Sequence, residues 1–301
     1  MKNGITKMLT VIAVTLVGTS AALAANNAVI IQAWLPGERG GLDWLPEDVD
    51  TADELWNDCF LVGEEFLKHV GNDSNRLHML WAKGQDYGRQ GWRYDPLGRL
   101  SIGKLTDDSA TVATVENTFK TLGGSMSGSD SLFVYTWGHG AHNGRAYPTE
   151  ATHFALTVRP IWYADGKWHY TPLWDTTFAR MADTVHSNRV FIMQQCFGGG
   201  FMDDLADSTT TIVCAASALK ESHSCDNKGG KKNSPTPEHE PYQGDTWRHV
   251  EFSFHFFNAL RGGVAIAPYG NPAVYPSNPD TNHDSTVLWL EAFEFNRLYN
   301  S

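Results

Sequence analysis

The chain has 301 residues, 42% of them hydrophobic and 19% charged, with a formal net charge of −11 at pH 7. That balance suits one compact core that needs neither metal nor disulfide staples, and it excludes a disordered chain. An acidic surplus also argues against nucleic acid or an anionic membrane as the main partner.

Residues 1–24 begin with Lys2 and Lys7, run through the apolar stretch 8–17 and close on Ala22-Leu23-Ala24. A basic start, a short apolar middle and a small-x-small end are the marks of a secretory signal peptide, and the run is too short to span a membrane comfortably. The expectation is an exported protein, periplasmic or extracellular, with a single domain over 25–301, no membrane span and no lipid anchor.

From residue 28 to 34 an apolar run reads as a strand. Over 51–70, Leu55, Cys59, Val62, Phe66 and Val70 recur at helical spacing and predict a helix with one face on a sheet. A second strand follows at 76–82, then a long surface loop over 83–104, rich in Gly, Tyr, Trp and Arg. Further on, the run Leu132 to Trp137 ends at Gly138-His139-Gly140, and the later run Val190 to Met193 ends at Gln194-Gln195-Cys196-Phe197-Gly198.

Short β-rich apolar runs alternating with helices predict an α/β fold: a three-layer α/β/α sandwich with a mainly parallel central sheet and right-handed crossovers. Active groups in such sheets gather beyond the carboxyl ends of the strands, so His139 and Cys196 are expected on one rim. A thiol becomes a strong nucleophile when an imidazole takes its proton. Gly140, lacking a Cβ, lets its amide approach a developing oxyanion, as does the amide of Cys196. Singly, His139 reads equally as a turn residue and Cys196 as a buried structural thiol; together at strand ends they read as a dyad.

A hydrophobic block ending in His-Gly, followed tens of residues later by another ending in x-x-Cys, resembles the cysteine endopeptidases that include legumains, caspases, metacaspases and gingipains. The segments 110–119, 173–182 and 251–262 are similar to helices of that clan, and the likeness spans roughly residues 27 to 268. It implies a caspase-like domain in which Cys196 is the nucleophile, His139 the general acid and base, and Gly140 part of the oxyanion hole. Ala215-Ala216-Ser217, with Glu221-Ser222 following at a spacing one residue longer, looks like the legumain segment lining the primary specificity pocket, and Gly244-Asp245-Thr246-Trp247 is similar to one that places an acid there. Gln194 stands where the family has Glu, and the family's Asn-Tyr-Arg-His stretch is replaced by Asp48, Val49 and Asp50 before Ala52-Asp53. The resemblance therefore implies a substrate pocket of Asp245, Gln194, Ser217 and Asp50, acidic enough to favour a basic P1 side chain; Asn or Asp at P1 is the family's alternative.

An insertion at about 147–172 carries Asp165-Gly166 between β-rich runs, a hairpin signal. It reads either as a wall of the substrate cleft or as a lid over apolar surface. A further strand is expected at 209–217, and 218–246 is polar, with Pro235, Pro237 and Pro241. Of the four cysteines, Cys59 falls on an apolar helix face and reads as buried, and Cys214–Cys225 is the favoured pair if any bonds.

Near the end, Asp280, Asn282, Asp284 and Glu291 fall at positions 1, 3, 5 and 12 of an EF-hand-type calcium loop, with the Thr286 backbone at 7. Ser285 replaces the glycine of the sharp turn. The other reading is a loop whose acids cap a final helix over 289–298. His139-x-x-His142 lacks a third zinc ligand, and no G-x-S-x-G elbow is present. The expected function is a secreted cysteine endopeptidase acting on peptide or protein substrates, with no cofactor required for catalysis. The alternatives are an idle caspase-like module binding peptide or carbohydrate and a purely structural secreted domain.

Overall fold

The structure, a computed structural model, describes residues 25–32, 46–82, 84, 106–162, 168–223, 239–242, 245–261 and 278–298. The signal-type segment 1–24, most of the 83–104 loop, the Asp165-Gly166 turn and Cys225 lie outside the described residues. Chain order is β1 (Asn27–Gln32), α1 (Pro46–His69), β2 (Leu77–Trp81), α2 (Val112–Ser125), β3 (Ser131–Trp137), β4 (Gly140–His142), β5 (Phe154–Trp162), β6 (Trp168–Trp174), α3 (Asp175–Ala182), β7 (Asn188–Met193), α4 (Met202–Leu205), β8 (Thr210–Cys214), β9 (His239–Tyr242), β10 (Asp245–Arg248), α5 (Glu251–Leu260) and α6 (Trp289–Asn296).

Five strands form one all-parallel sheet in the order β2-β1-β3-β7-β8. The apolar runs of β1, β3 and β7 are buried on both faces, as a parallel sheet between helices requires, while the edge strand β8 is only partly buried. Alternate side chains serve opposite layers. Ala28, Ile30, Phe133, Tyr135 and Ile192 pack with Phe66 of α1, Phe256 and Phe257 of α5 and Phe295 of α6. Val29, Ile31, Val134 and Phe191 pack with Phe119 of α2 and Phe178 of α3. The result is the expected three-layer α/β/α sandwich, compatible with a caspase-like fold. Among the described residues no helix is long and apolar enough to cross a membrane.

From β1 the chain steps outward to β2, then returns past β1 to β3 and continues to β7 and β8. The direction reverses between β1 and β3, and at such a switch point the strand ends splay to leave a crevice. His139 follows β3 there.

Some boundaries differ from the sequence reading. Leu173 and Trp174 close β6, paired with Leu156 and Ala155, rather than opening α3. The helix starts at Asp175, whose carboxylate accepts from the amides of Thr176 at 2.8 Å and Phe154 at 2.7 Å. Helix α2 runs from Val112 past residue 119 to Ser125, and its Gly123 packs against the Thr184 carbonyl, 2.2 Å from where a Cβ would stand. The polar stretch before α5 holds an antiparallel pair, β9 with β10, that its composition did not announce. The insertion is a hairpin, β5 with β6, and β4 joins it as a third strand.

Candidate active site

Strand β3 leaves the sheet through Gly138, whose φ of 151° suits glycine. His139 then stands exposed on the rim, its carbonyl accepting from the Thr157 amide and hydroxyl, each at 2.8 Å. Those bonds fasten the histidine's backbone to the hairpin. Gly140 opens β4 opposite Leu156.

Beyond β7, the Gln194 amide donates to the Thr136 carbonyl at 2.9 Å, extending the ladder one step, and the chain turns over Gln195 and Cys196. The turn is completed at Phe197 in the left-handed region, φ 58° and ψ 19°. A bulky residue there is strained, a condition that collects at functional sites. Its ring is held against His142, 5.0 Å between centroids and nearly perpendicular, and its amide donates to the Lys220 carbonyl at 2.8 Å. Phe197 itself, rather than one of the three glycines after it, makes the left-handed turn.

The two strand ends meet at Gly140 and Cys196. A Cβ on Gly140 would lie 1.7 Å from the Cys196 carbonyl oxygen, so no other residue fits without moving the turn. The Cys196 sulfur is half-buried and accepts from the Ser222 amide at 3.3 Å. Burial pushes its pKa above the ordinary thiol value; the Glu221 carboxylate adds to this, while the amides of Ser222, Gly140 and Cys196 itself pull it down. At rest the group is a thiol, with amide donors already placed for an anion on or beside the sulfur.

Of the residues expected to meet substrate, Gln194 is 1% exposed. Its amide nitrogen donates to the Ser222 hydroxyl at 2.8 Å, and its carbonyl accepts from Ser253 at 3.3 Å. Ser217 is exposed, and with Ala215 and Ala216 it lines a cleft of roughly 500 Å³ between β8 and α6, walled also by Trp289 and Phe293. The backbones of Asp50 and Asp245 lie on α1 and β10, which touch each other; their side chains lie outside the described residues. Thr157 and Phe197 had no sequence signal of their own, since each matters through a contact with a distant segment, and Ser222 had one only as part of the segment resembling a specificity-pocket lining.

Cys59, Cys196 and Cys214 are free thiols, and the favoured Cys214–Cys225 pairing involves a residue outside those described. Cys214 faces the β8 side of the cleft, and burial pushes its pKa up to about 12. Cys59 is buried, as its place on the helix predicts.

In the 280–291 loop the acids face the loop's own amides. Glu291 Oε1 accepts from the Thr281 amide and hydroxyl and from the Asn282 amide, and Oε2 accepts from the Leu288 amide at the start of α6. Asp280 accepts from Asp284 and Ser285, Asn282 from Asp284, and Asp284 from Thr286. His283 and Ser285 take positive φ, 60° and 70°, so the sharp turn is made without glycine. Among the described residues no group of three or more His, Cys, Asp or Glu converges as metal ligands. Glu291 caps the start of α6, while Asp280, Asn282 and Asp284 hold amides within the loop itself.

No protein-family model matches this chain, and no curated protein sequence matches it.

Proposed function

We propose that the chain is an exported cysteine endopeptidase of the caspase/legumain-like kind, with Cys196 as nucleophile and His139 as general acid and base. The observation that carries this reading is the seating of Gly140 on the Cys196 turn, which brings the histidine's strand end, the sulfur and two amide donors to one rim. In the proposed reaction His139 takes the thiol proton as the sulfur attacks the scissile carbonyl carbon. The amides of Gly140 and Cys196 hold the resulting oxyanion. The tetrahedral species collapses, the C–N bond breaks, and the leaving amine takes the proton from His139. Water, deprotonated by His139, then hydrolyses the thioester and frees the acid and the thiol.

Because burial holds the thiol protonated, the imidazole acts as a base during attack rather than as a standing ion-pair partner. The pocket is proposed to draw on Asp50, Asp245 and Ser217, with the acids favouring a basic P1 side chain by charge pairing. The same raised thiol also suits an idle dyad on a peptide- or carbohydrate-binding module. Fluorogenic peptides differing only at P1 separate these readings. The peptidase cleaves after Lys or Arg, and Cys196→Ala abolishes the signal; cleavage after Asn or Asp alone removes the acidic-pocket idea, and no cleavage by the folded parent overturns the enzyme reading.

A further inference from the structure

Behind the sulfur runs a line of side chains that the reaction above does not use. Tyr135 on β3 and Ser253 on α5 are fully buried, and their hydroxyl oxygens are 2.7 Å apart. Ser253 donates to the Gln194 carbonyl at 3.3 Å, and the Gln194 amide nitrogen donates to the Ser222 hydroxyl at 2.8 Å. The Ser222 backbone N–H reaches the Cys196 sulfur at 3.3 Å. With the Tyr135 O–H donating to Ser253, the donors of Tyr135, Ser253, Gln194 and Ser222 point from the core toward the active rim, where the Cys196 thiol in turn donates to the Ser222 carbonyl at 4.0 Å. In that arrangement the Ser253 proton goes to the Gln194 carbonyl in competition with the Asp58 carboxylate, which also hydrogen-bonds this hydroxyl, and aligned bonds of this kind polarise one another.

The line joins four separate pieces of chain: the strand that ends in the histidine, helix α5, the segment that ends in the cysteine, and the loop after β8. The last of these carries the Ser222 amide, which donates to the sulfur at 3.3 Å and acts on it together with the amides of Gly140 and Cys196. Its residues 217–221 are mostly exposed, and its backbone ties to the Cys196 turn come from Phe197 to Lys220 and from Gly199 to Ala216. Gln194 is the buried group that grips it by a side chain, through Ser222.

We propose that Gln194 is a positioning residue for the Cys196 thiol: anchored by the Tyr135–Ser253 hydroxyl pair, it holds the loop so that the Ser222 amide donates to the sulfur. The inference rests on Cys196 being the nucleophile. It assigns Gln194 a role behind the reacting atoms, where a side chain 1% exposed has no surface to offer substrate. An amide that leaves the sulfur no longer stabilises the thiolate, so the consequence of losing Gln194 is a higher thiol pKa and slower attack at neutral pH.

The test is the pH profile of Cys196 alkylation by iodoacetamide on the full chain, followed by mass spectrometry on the peptide bearing Cys196 so that the other cysteines do not contribute. Gln194→Leu removes both side-chain bonds at similar volume. Ser222→Ala removes the hydroxyl that Gln194 holds and keeps the amide, and Ser222→Thr restores a hydroxyl. The midpoint is expected to rise by about one pH unit in Gln194→Leu and in Ser222→Ala, about a tenfold loss of thiolate at neutral pH. The double variant goes no further than either single one, and Ser222→Thr stays near the parent. An unmoved midpoint in Ser222→Ala overturns the proposal, and this half-buried position serves as the test even where Gln194→Leu does not fold. The profile needs no peptide substrate. Shifted midpoints with a parent that cleaves no peptide sink the peptidase reading alone; unshifted midpoints with a cleaving parent sink the positioning role alone.

Discussion

At the scale of single residues, the site depends on one missing atom and one strained backbone. Gly140 has no Cβ, and the space one would fill belongs to the Cys196 carbonyl, 1.7 Å away. Gly140→Ala is therefore expected to push the strand ends apart and withdraw an oxyanion donor, lowering kcat about 10²- to 10³-fold with a folded chain. Steady-state kinetics on the best P1 peptide, with circular dichroism to confirm the fold, check it. The glycine was legible because its neighbour was a strand-end histidine. The strain was not: three glycines follow Phe197, any of which suits a left-handed turn, yet the phenylalanine adopts φ 58°. Its contacts with His142 and Lys220 come from segments far away in sequence.

Among the elements, the clamp between α1 and α5 carries a pH dependence. Glu65 on α1 is buried, which pushes its pKa up, but hydrogen bonds from His69 and Lys68 and the charge of Arg261 outweigh that and hold it at about 2. Arg261, just past α5, also reaches Glu64 and the Leu61 carbonyl. A carboxylate whose folded pKa lies below its ordinary 4.5 stabilises the fold above that value and loses the contribution as pH falls toward 2. Glu65→Gln is expected to cost at most about 3 kcal/mol at pH 6 and progressively less below pH 4.5. Urea unfolding of parent and variant across pH 3 to 6 measures the difference.

The same helices and strands show where sequence reading succeeds. The core strands were legible because their apolar runs are continuous and bounded by glycine, and α1 because its apolar residues keep helical spacing. The start of α3 was misplaced because Leu173 and Trp174 suit either element, and only pairing with β5 decides. Strands β9 and β10 were hidden in polar, proline-bearing sequence, where Pro241 pairs opposite Thr246.

At the scale of the whole molecule, free thiols set the alkaline limit. Cys214, pushed up to about 12, stays neutral in the fold while an unfolded thiol ionises from about 9. Its contribution is intact below 9 and falls as pH rises toward 12, by about 1.4 kcal/mol per unit. Cys214→Ala is expected to flatten that part of the stability curve, which denaturant melts between pH 8 and 11 detect. The bridge to Cys225 was a reasonable reading of an exported chain with four cysteines. Count alone carries no geometry; Cys225 lies outside the described residues, and Cys214 stands as a free thiol on the β8 side of the cleft.

The sheet places two strand ends so that one chain segment presents a histidine and the next a sulfur, and the functional account stands or falls on their acting together. Labelling with a thiol-directed peptide probe asks this directly. The account predicts that the probe modifies Cys196, leaves Cys59 and Cys214 untouched, and fails in His139→Ala. Labelling of Cys196 at an undiminished rate in that variant would contradict it.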